Sequence, residues 1–159
     1  MRKIALTIVT LMLCTAALVG CGSDPVADDL INYINNEVPV LGEMESEAGA
    51  AYEAVAGENY TDDATMAAAL SDVVIPTSDE LVEAANALTP ATEEVAALHE
   101  IFISAVTERN AAFKMLLAAL EEGDAAKVDE FNAMMENADA IVDEFSAAVD
   151  ALATEHGVE

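Results

Sequence analysis

From Asp124 to Gly157 the apolar residues Val128, Phe131, Met135, Ala138, Val142, Phe145, Val149 and Leu152 return at alternating steps of three and four. Only an α-helix gathers residues so spaced onto one face, and a stripe of that length must be buried against other helices. A second stripe, Val95, Leu98, Phe102, Ala105, Ala112, Leu116 and Leu120, keeps the same rhythm except where Arg109 stands in it. With 4% aromatic residues, no Trp and 54% hydrophobic residues, the core is built mainly of Ala, Val, Leu, Ile and Met, which favours close-packed helices over a sandwich.

Start and stop signals divide the rest. Asp24 and Pro25 read as a cap followed by Pro at the first helical position, opening a segment that ends at Gly57. A second starts after Thr61 with Asp62 and Asp63 in its first turn, breaks at Val74-Ile75-Pro76, and restarts at Thr77, which has capping-box spacing to Glu80. The third begins at Thr89-Pro90 and stops at Gly123; Asp124 caps the fourth. Each segment spans roughly 45 Å at 1.5 Å per residue, and connections this short force neighbours to run antiparallel. The expected fold is all-α, an antiparallel up-down-up-down four-helix bundle over residues 25–157 with kinks near Pro39 and Pro76. Counting levels from the turns puts both prolines at one height with Phe102 and Phe145, where ordinary packing around two bends is expected.

The chain of 159 residues carries 5 Lys and Arg against 31 Asp and Glu, a formal charge of -26. Nucleic-acid binding needs a basic footprint, and no cluster beyond Arg2 and Lys3 supplies one. Disorder is excluded by the apolar content.

Met1-Arg2-Lys3, an apolar run from Ile4 to Val19 and the tetrapeptide Leu18-Val19-Gly20-Cys21 form a basic, then apolar, then small-residue series. This resembles the signal peptide and lipobox of bacterial lipoproteins. The resemblance covers only the first 24 residues or so, and no family is recognised for the remainder. It implies that residues 1–20 are removed, that the Cys21 thiol carries diacylglyceryl, and that residue 21 becomes an acylated, palmitate-type N-terminus on a short tether through residue 24. The expected location is extracytoplasmic, lipid-anchored to the cell membrane or outer membrane. Cys14 would leave with the signal, so the mature chain has no thiol for a disulfide or metal. It also loses Arg2 and Lys3, so Arg109, Lys114 and Lys127 stand against 31 acidic residues, a formal charge of -28. The acid surplus resembles surfaces adapted to high salt; an alkaline habitat explains it equally.

Arg109 is the one basic residue on a core stripe, and the level count brings it near Ala69, Gly49 and Glu136, with Glu47 half a turn away. A buried ion pair of Arg109 with Glu47 or Glu136 is expected to fix helix register; carboxylate binding is the competing role. His99 and His156 each lack Glu three residues before them, so the di-iron bundle signature is absent and no metal site is expected. The acidic turn of Glu58, Asn59, Asp62 and Asp63 lacks the ligand alternation of a calcium loop. No nucleophile elbow, P-loop, dinucleotide turn or zincin motif occurs, so no catalytic residues and no cofactor are assigned. The sequence therefore reads as a non-enzymatic, envelope-associated interaction module whose partners are the membrane, through its lipid, and a basic protein. The alternative is a small-ligand or divalent-cation binding lipoprotein using the mid-bundle layer or the acidic surface.

Overall fold

In the computed structural model, which describes residues 24–158, the chain is all-helical, with no strand among those residues. The expectations about the signal segment and Cys21 lie outside the described residues. Helix α1 (Pro25–Asn32) passes through a π-helical turn at Tyr33–Glu37 into α2 (Val38–Glu53). A 3-10 turn at Gly57–Asn59 leads to α3 (Asp63–Ala69), which passes through a second π turn at Leu70–Val74 into α4 (Ile75–Ala87). Two long helices follow, α5 (Glu93–Glu122) and α6 (Ala125–Glu155).

Most termini form where the caps require. The Asp24 carboxylate accepts from the Val26 and Ala27 amides, Asp62 from Thr65, and Asp124 from Ala126. Each satisfies donors that the first turn of a helix leaves without a partner. Gly123 adopts φ 66°, left-handed backbone that a side chain resists, and so ends α5 while Asp124 N–H returns to the Ala119 carbonyl.

Three boundaries differ from the sequence reading. The break at Val74-Ile75-Pro76 does not form: Val74 has helical φ and ψ and makes no side-chain cap, so Thr77 and Glu80 have no non-helical start to close. Proline lacks the amide hydrogen and its ring crowds the carbonyl four residues back. A five-residue π turn directly before Ile75-Pro76 widens the helix there, and an equivalent turn precedes Val38-Pro39. The first is knitted by its own side chains, with Asn32 Nδ2 donating to Glu37 and Asn36 Nδ2 to Asn32, each at 2.9 Å. The second difference is the start of α5, at Glu93 rather than Thr89-Pro90. Asp29 accepts from the backbone amide and the hydroxyl of Thr92 at 2.8 and 2.7 Å, which fixes Thr92 as the extended N-cap. Third, α2 stops at Glu53, before Gly57, because Asn59 Nδ2 donates to the Glu53 carbonyl.

The interior has three layers. Val26, Leu30 and Tyr33 meet Val95, Leu98 and Val149. Leu41, Leu81 and Ala85 meet Phe102 and Val106, with Phe145 against them, its ring centroid 5.7 Å from that of Phe102. Met66, Leu70 and Val74 meet Phe113, Leu116, Phe131 and Met135. Between the first two layers, His99 Nε2 donates to the Ala85 carbonyl at 2.7 Å, since a carbonyl can only accept. Its Nδ1 must then accept from the Tyr33 hydroxyl at 2.9 Å. Tyr33 is fully buried, and burial together with nearby Glu37 raises its phenol well above the ordinary value. The pair ties the first π turn to α5 and α4.

Tyr33→Phe keeps the ring but leaves His99 Nδ1 buried without a donor. It is expected to cost about 1–3 kcal/mol in urea unfolding, and a cost indistinguishable from zero would contradict this role of the pair.

Candidate functional site

Arg109 projects from the middle of α5, and its residue exposure is 8%. Its Nη1 pairs with Glu45 of α2 and its Nη2 with Asp139 of α6 at 3.0 Å, so one guanidinium joins three helices. Glu47 and Glu136, the expected partners, are both exposed and take no part. Successive residues of a helix are about 100° apart, so Glu45 and Glu47 point in nearly opposite directions. Glu45 instead continues the buried face marked by Leu41, Ala48 and Tyr52 at steps of four and three. Asp139 lies one turn beyond Glu136, beside buried Ala138 and four residues after Met135. That periodic signal was present in the sequence for both residues.

The two carboxylates are not buried equally with their cation. Side-chain exposure is 26% for Glu45 and 48% for Asp139, against 9% for Arg109. The pair is therefore a buried cation held by acids that reach water. Arg109 Nε is buried with no partner, so its N–H is left unused.

A cavity of about 50 Å³ adjoins it, a space for a few groups of water size at about 10–15 Å³ each. Small residues of α2, Ala48 and Gly49, form one wall; Leu81, Val106 and Met135 supply apolar surface from α4, α5 and α6. At the end nearer the α2 C-terminus stand Tyr52, Phe113 and Phe131, the Tyr52 ring 5.4 Å from Phe113 and 6.1 Å from Phe131 by centroid. Burial raises the Tyr52 phenol above its ordinary value, which keeps it neutral. Glu45, Glu53 and the buried Ser78 complete the lining. The expected Pro39–Pro76 level is filled by Phe102 and its neighbours, and the open space lies instead beside Arg109.

The other cations are engaged at the surface. Lys114 donates to Asp79 at 2.6 Å beside Asn110, and these two hold the Asp79 carboxyl below its usual range. Lys127 pairs with Glu122. His99 is a core residue and His156 lies at the far end of α6, so the structure does not bring the histidines together. Among the described residues no group of three or more His, Cys, Asp or Glu side chains is placed to hold a metal ion, and no helix is long and apolar enough to cross a membrane.

His156 Nδ1 and the Asp24 carboxylate lie 2.8 Å apart, joining the end of α6 to the cap of α1. The hydrogen bond to Asp24 raises the imidazole, with Glu155 and Glu94 adding to it, and the bond to His156 lowers Asp24 together with the Ala27 amide.

Two predictions follow from these pairings. Removing both acids from Arg109, with Glu45→Ala and Asp139→Ala, strands a buried cation and is expected to cost roughly 3 kcal/mol or more in denaturant unfolding. Arg109→Met leaves two acids that water can reach and should cost within about 1 kcal/mol; the opposite order of costs would refute the asymmetry. For His156, a raised folded value means stabilisation that is complete below the ordinary 6.5 and lost as pH rises through the folded value. For Asp24, a lowered value means stabilisation present above the ordinary 3.8 and lost as pH falls through the folded value. The melting difference between wild type and His156→Ala should therefore be largest between pH 3.8 and 6.5 and vanish in alkaline buffer. A difference that persists or grows there would remove the ion pair as its cause.

Searches against protein-family models, curated proteins and solved structures find no match to this chain.

Proposed function

We propose that the chain is the precursor of a lipid-anchored extracytoplasmic lipoprotein, cut before Cys21, whose mature part is a non-enzymatic, acidic helical bundle acting as an envelope-associated interaction module. The observation that carries this reading is the junction between anchor and fold. The lipobox-like Leu18-Val19-Gly20-Cys21 is followed after only Gly22-Ser23 by Asp24, the residue that caps the first helix. Three residues extended at about 3.5 Å each reach only about 10 Å, so the bundle would stand close to the lipid. A body at -28 is repelled by an anionic surface, so attachment has to come from acyl chains. The same field recruits basic proteins, the partner class proposed here.

The bundle is proposed to run up-down-up-down, bending near Pro39 and Pro76. Side-chain pairings support that topology. Asp29 with Thr92, Tyr33 with His99, Glu45 with Arg109 and Tyr52 with Phe113 climb together along the first helical rod and α5. Along α6 the order reverses, from Phe102 with Phe145 to Glu108 with Asn137. The Asp24–His156 contact then puts the anchored start and the end of α6 at one pole.

Expression in a bacterial host with labelled palmitate is expected to give a labelled protein in the membrane fraction. Cys21→Ser should be unlabelled and retain its signal segment. A Cys21→Ser protein that is still cut and labelled would disprove the anchor.

A further inference from the structure

We propose that the cavity beside Arg109 is an internal water site, in which bound water accepts the Nε–H of Arg109 and extends the reach of the guanidinium to the Ser78 hydroxyl of α4. This site does not depend on the lipid anchor. Three observations lead to it. Arg109 Nε is buried without a partner, while Nη1 is engaged by Glu45 and Nη2 by Asp139. A buried N–H left unmet costs more than a typical hydrogen bond contributes, so such a donor draws an acceptor into any space that adjoins it. The space is present: Arg109 itself lines the cavity of about 50 Å³, of which one water takes about 10–15 Å³. The lining also meets the requirement of about two to four polar partners for an ordered water. Besides Nε it holds Ser78, 3% exposed, whose hydroxyl both donates and accepts, and the carboxylate of Glu45.

Size and charge exclude other occupants. An anion would face the carboxylates of Glu45 and Asp139, which already outnumber the guanidinium, and a cation would face the guanidinium itself. A small neutral molecule that both accepts and donates suits an N–H, a hydroxyl and a carboxylate at once. Water reaches the site past Glu45 and Glu53, which are partly exposed and exposed respectively. The structural consequence lies in α4. Direct ion pairs join α2, α5 and α6 at Arg109, and a water shared with Ser78 adds α4, so that four helices meet at one guanidinium. Hydration also accounts for a long buried cation beside small residues: the planar group and the water together fill a space that neither fills alone.

The test begins with NMR of the full wild-type chain in a non-ionic detergent. The Arg109 Nε–H resonance is expected to show a cross-relaxation peak with water, distinguished from proton exchange by its sign in the rotating frame. Xenon under pressure enters dry apolar cavities, so here it should leave the methyl resonances of Leu81 and Val106 unmoved. A pair of substitutions gives an independent reading at Ala48, buried on the α2 wall. Ala48→Val and Ala48→Thr add side chains of nearly equal volume and helix propensity. The valine displaces water and strands Nε, whereas the threonine brings an acceptor with it, so the threonine variant is expected to melt a few degrees higher. A dry core would give the reverse order. Should either variant fail to fold, the two wild-type measurements decide the matter. Methyl shifts under xenon, absence of the water peak at Arg109 Nε–H, or a valine variant that melts above the threonine variant would overturn the proposal.

Discussion

The guanidinium of Arg109 is the point at which this molecule's charge problem becomes a structural bond. Residues 21–159 have three basic side chains among 31 acidic ones, so adjacent helices tend to repel. Lys114 and Lys127 relieve that locally, at the surface. Arg109 alone reaches inward and draws carboxylates of α2 and α6 toward the same atom group on α5. A lysine would meet two acids only through one point charge, whereas the planar guanidinium presents separate nitrogens to each. The register of three helices is thus tied to one residue, and small Ala48 and Gly49 line the cavity beside it.

The prolines impose the second constraint. Pro39 and Pro76 would each break a helix judged alone, yet residues on both sides of each belong to continuous buried faces. Leu30 and Tyr33 precede the first π turn's end and Leu41 follows it; Leu70 and Val74 precede Pro76 and Leu81 follows it. Ending the helix would expose one half of each face. A π turn keeps both halves buried by inserting an extra residue where the ring needs clearance, and in the first rod it also delivers Tyr33 to His99.

These two constraints explain what could be read from the sequence. Caps at Asp24 and Asp124 and the stop at Gly123 were legible because they depend on residues within one turn, whereas Asp62, expected inside the first turn, is itself the cap of α3. The fate of Pro76 was not, because the energy that carries the helix past it comes from Phe113 and Leu116, far away in sequence. Thr92 displaced Thr89 as the start of α5 for the same reason, since Asp29 selects it from 63 residues away. At the candidate site, counting residues from the turns brings Arg109 and Gly49 to one level, and both line the cavity. The partners were misassigned because height along a helix does not specify azimuth, and only the stripe through Leu41, Glu45 and Ala48 carries that information.

Cavity and ion pair have a common origin. Where alanines of the core face one another helices approach closely, and close packing leaves few voids. Around Arg109 the small residues admit a long, flat group that cannot fill a rounded space. Just beyond it, Tyr52, Phe113 and Phe131 hold the helices apart with rings tilted by 50 and 59° to one another rather than stacked flat. Space therefore remains between a planar cation and three tilted rings, in a molecule of strongly negative net charge. A void lined only by aliphatic groups would be a packing defect that a larger side chain at Gly49 could remove. This one has a polarity, with a guanidinium whose buried Nε still lacks a partner at one end and the rings of Tyr52, Phe113 and Phe131 at the other, and filling it with hydrocarbon would leave that donor unmet.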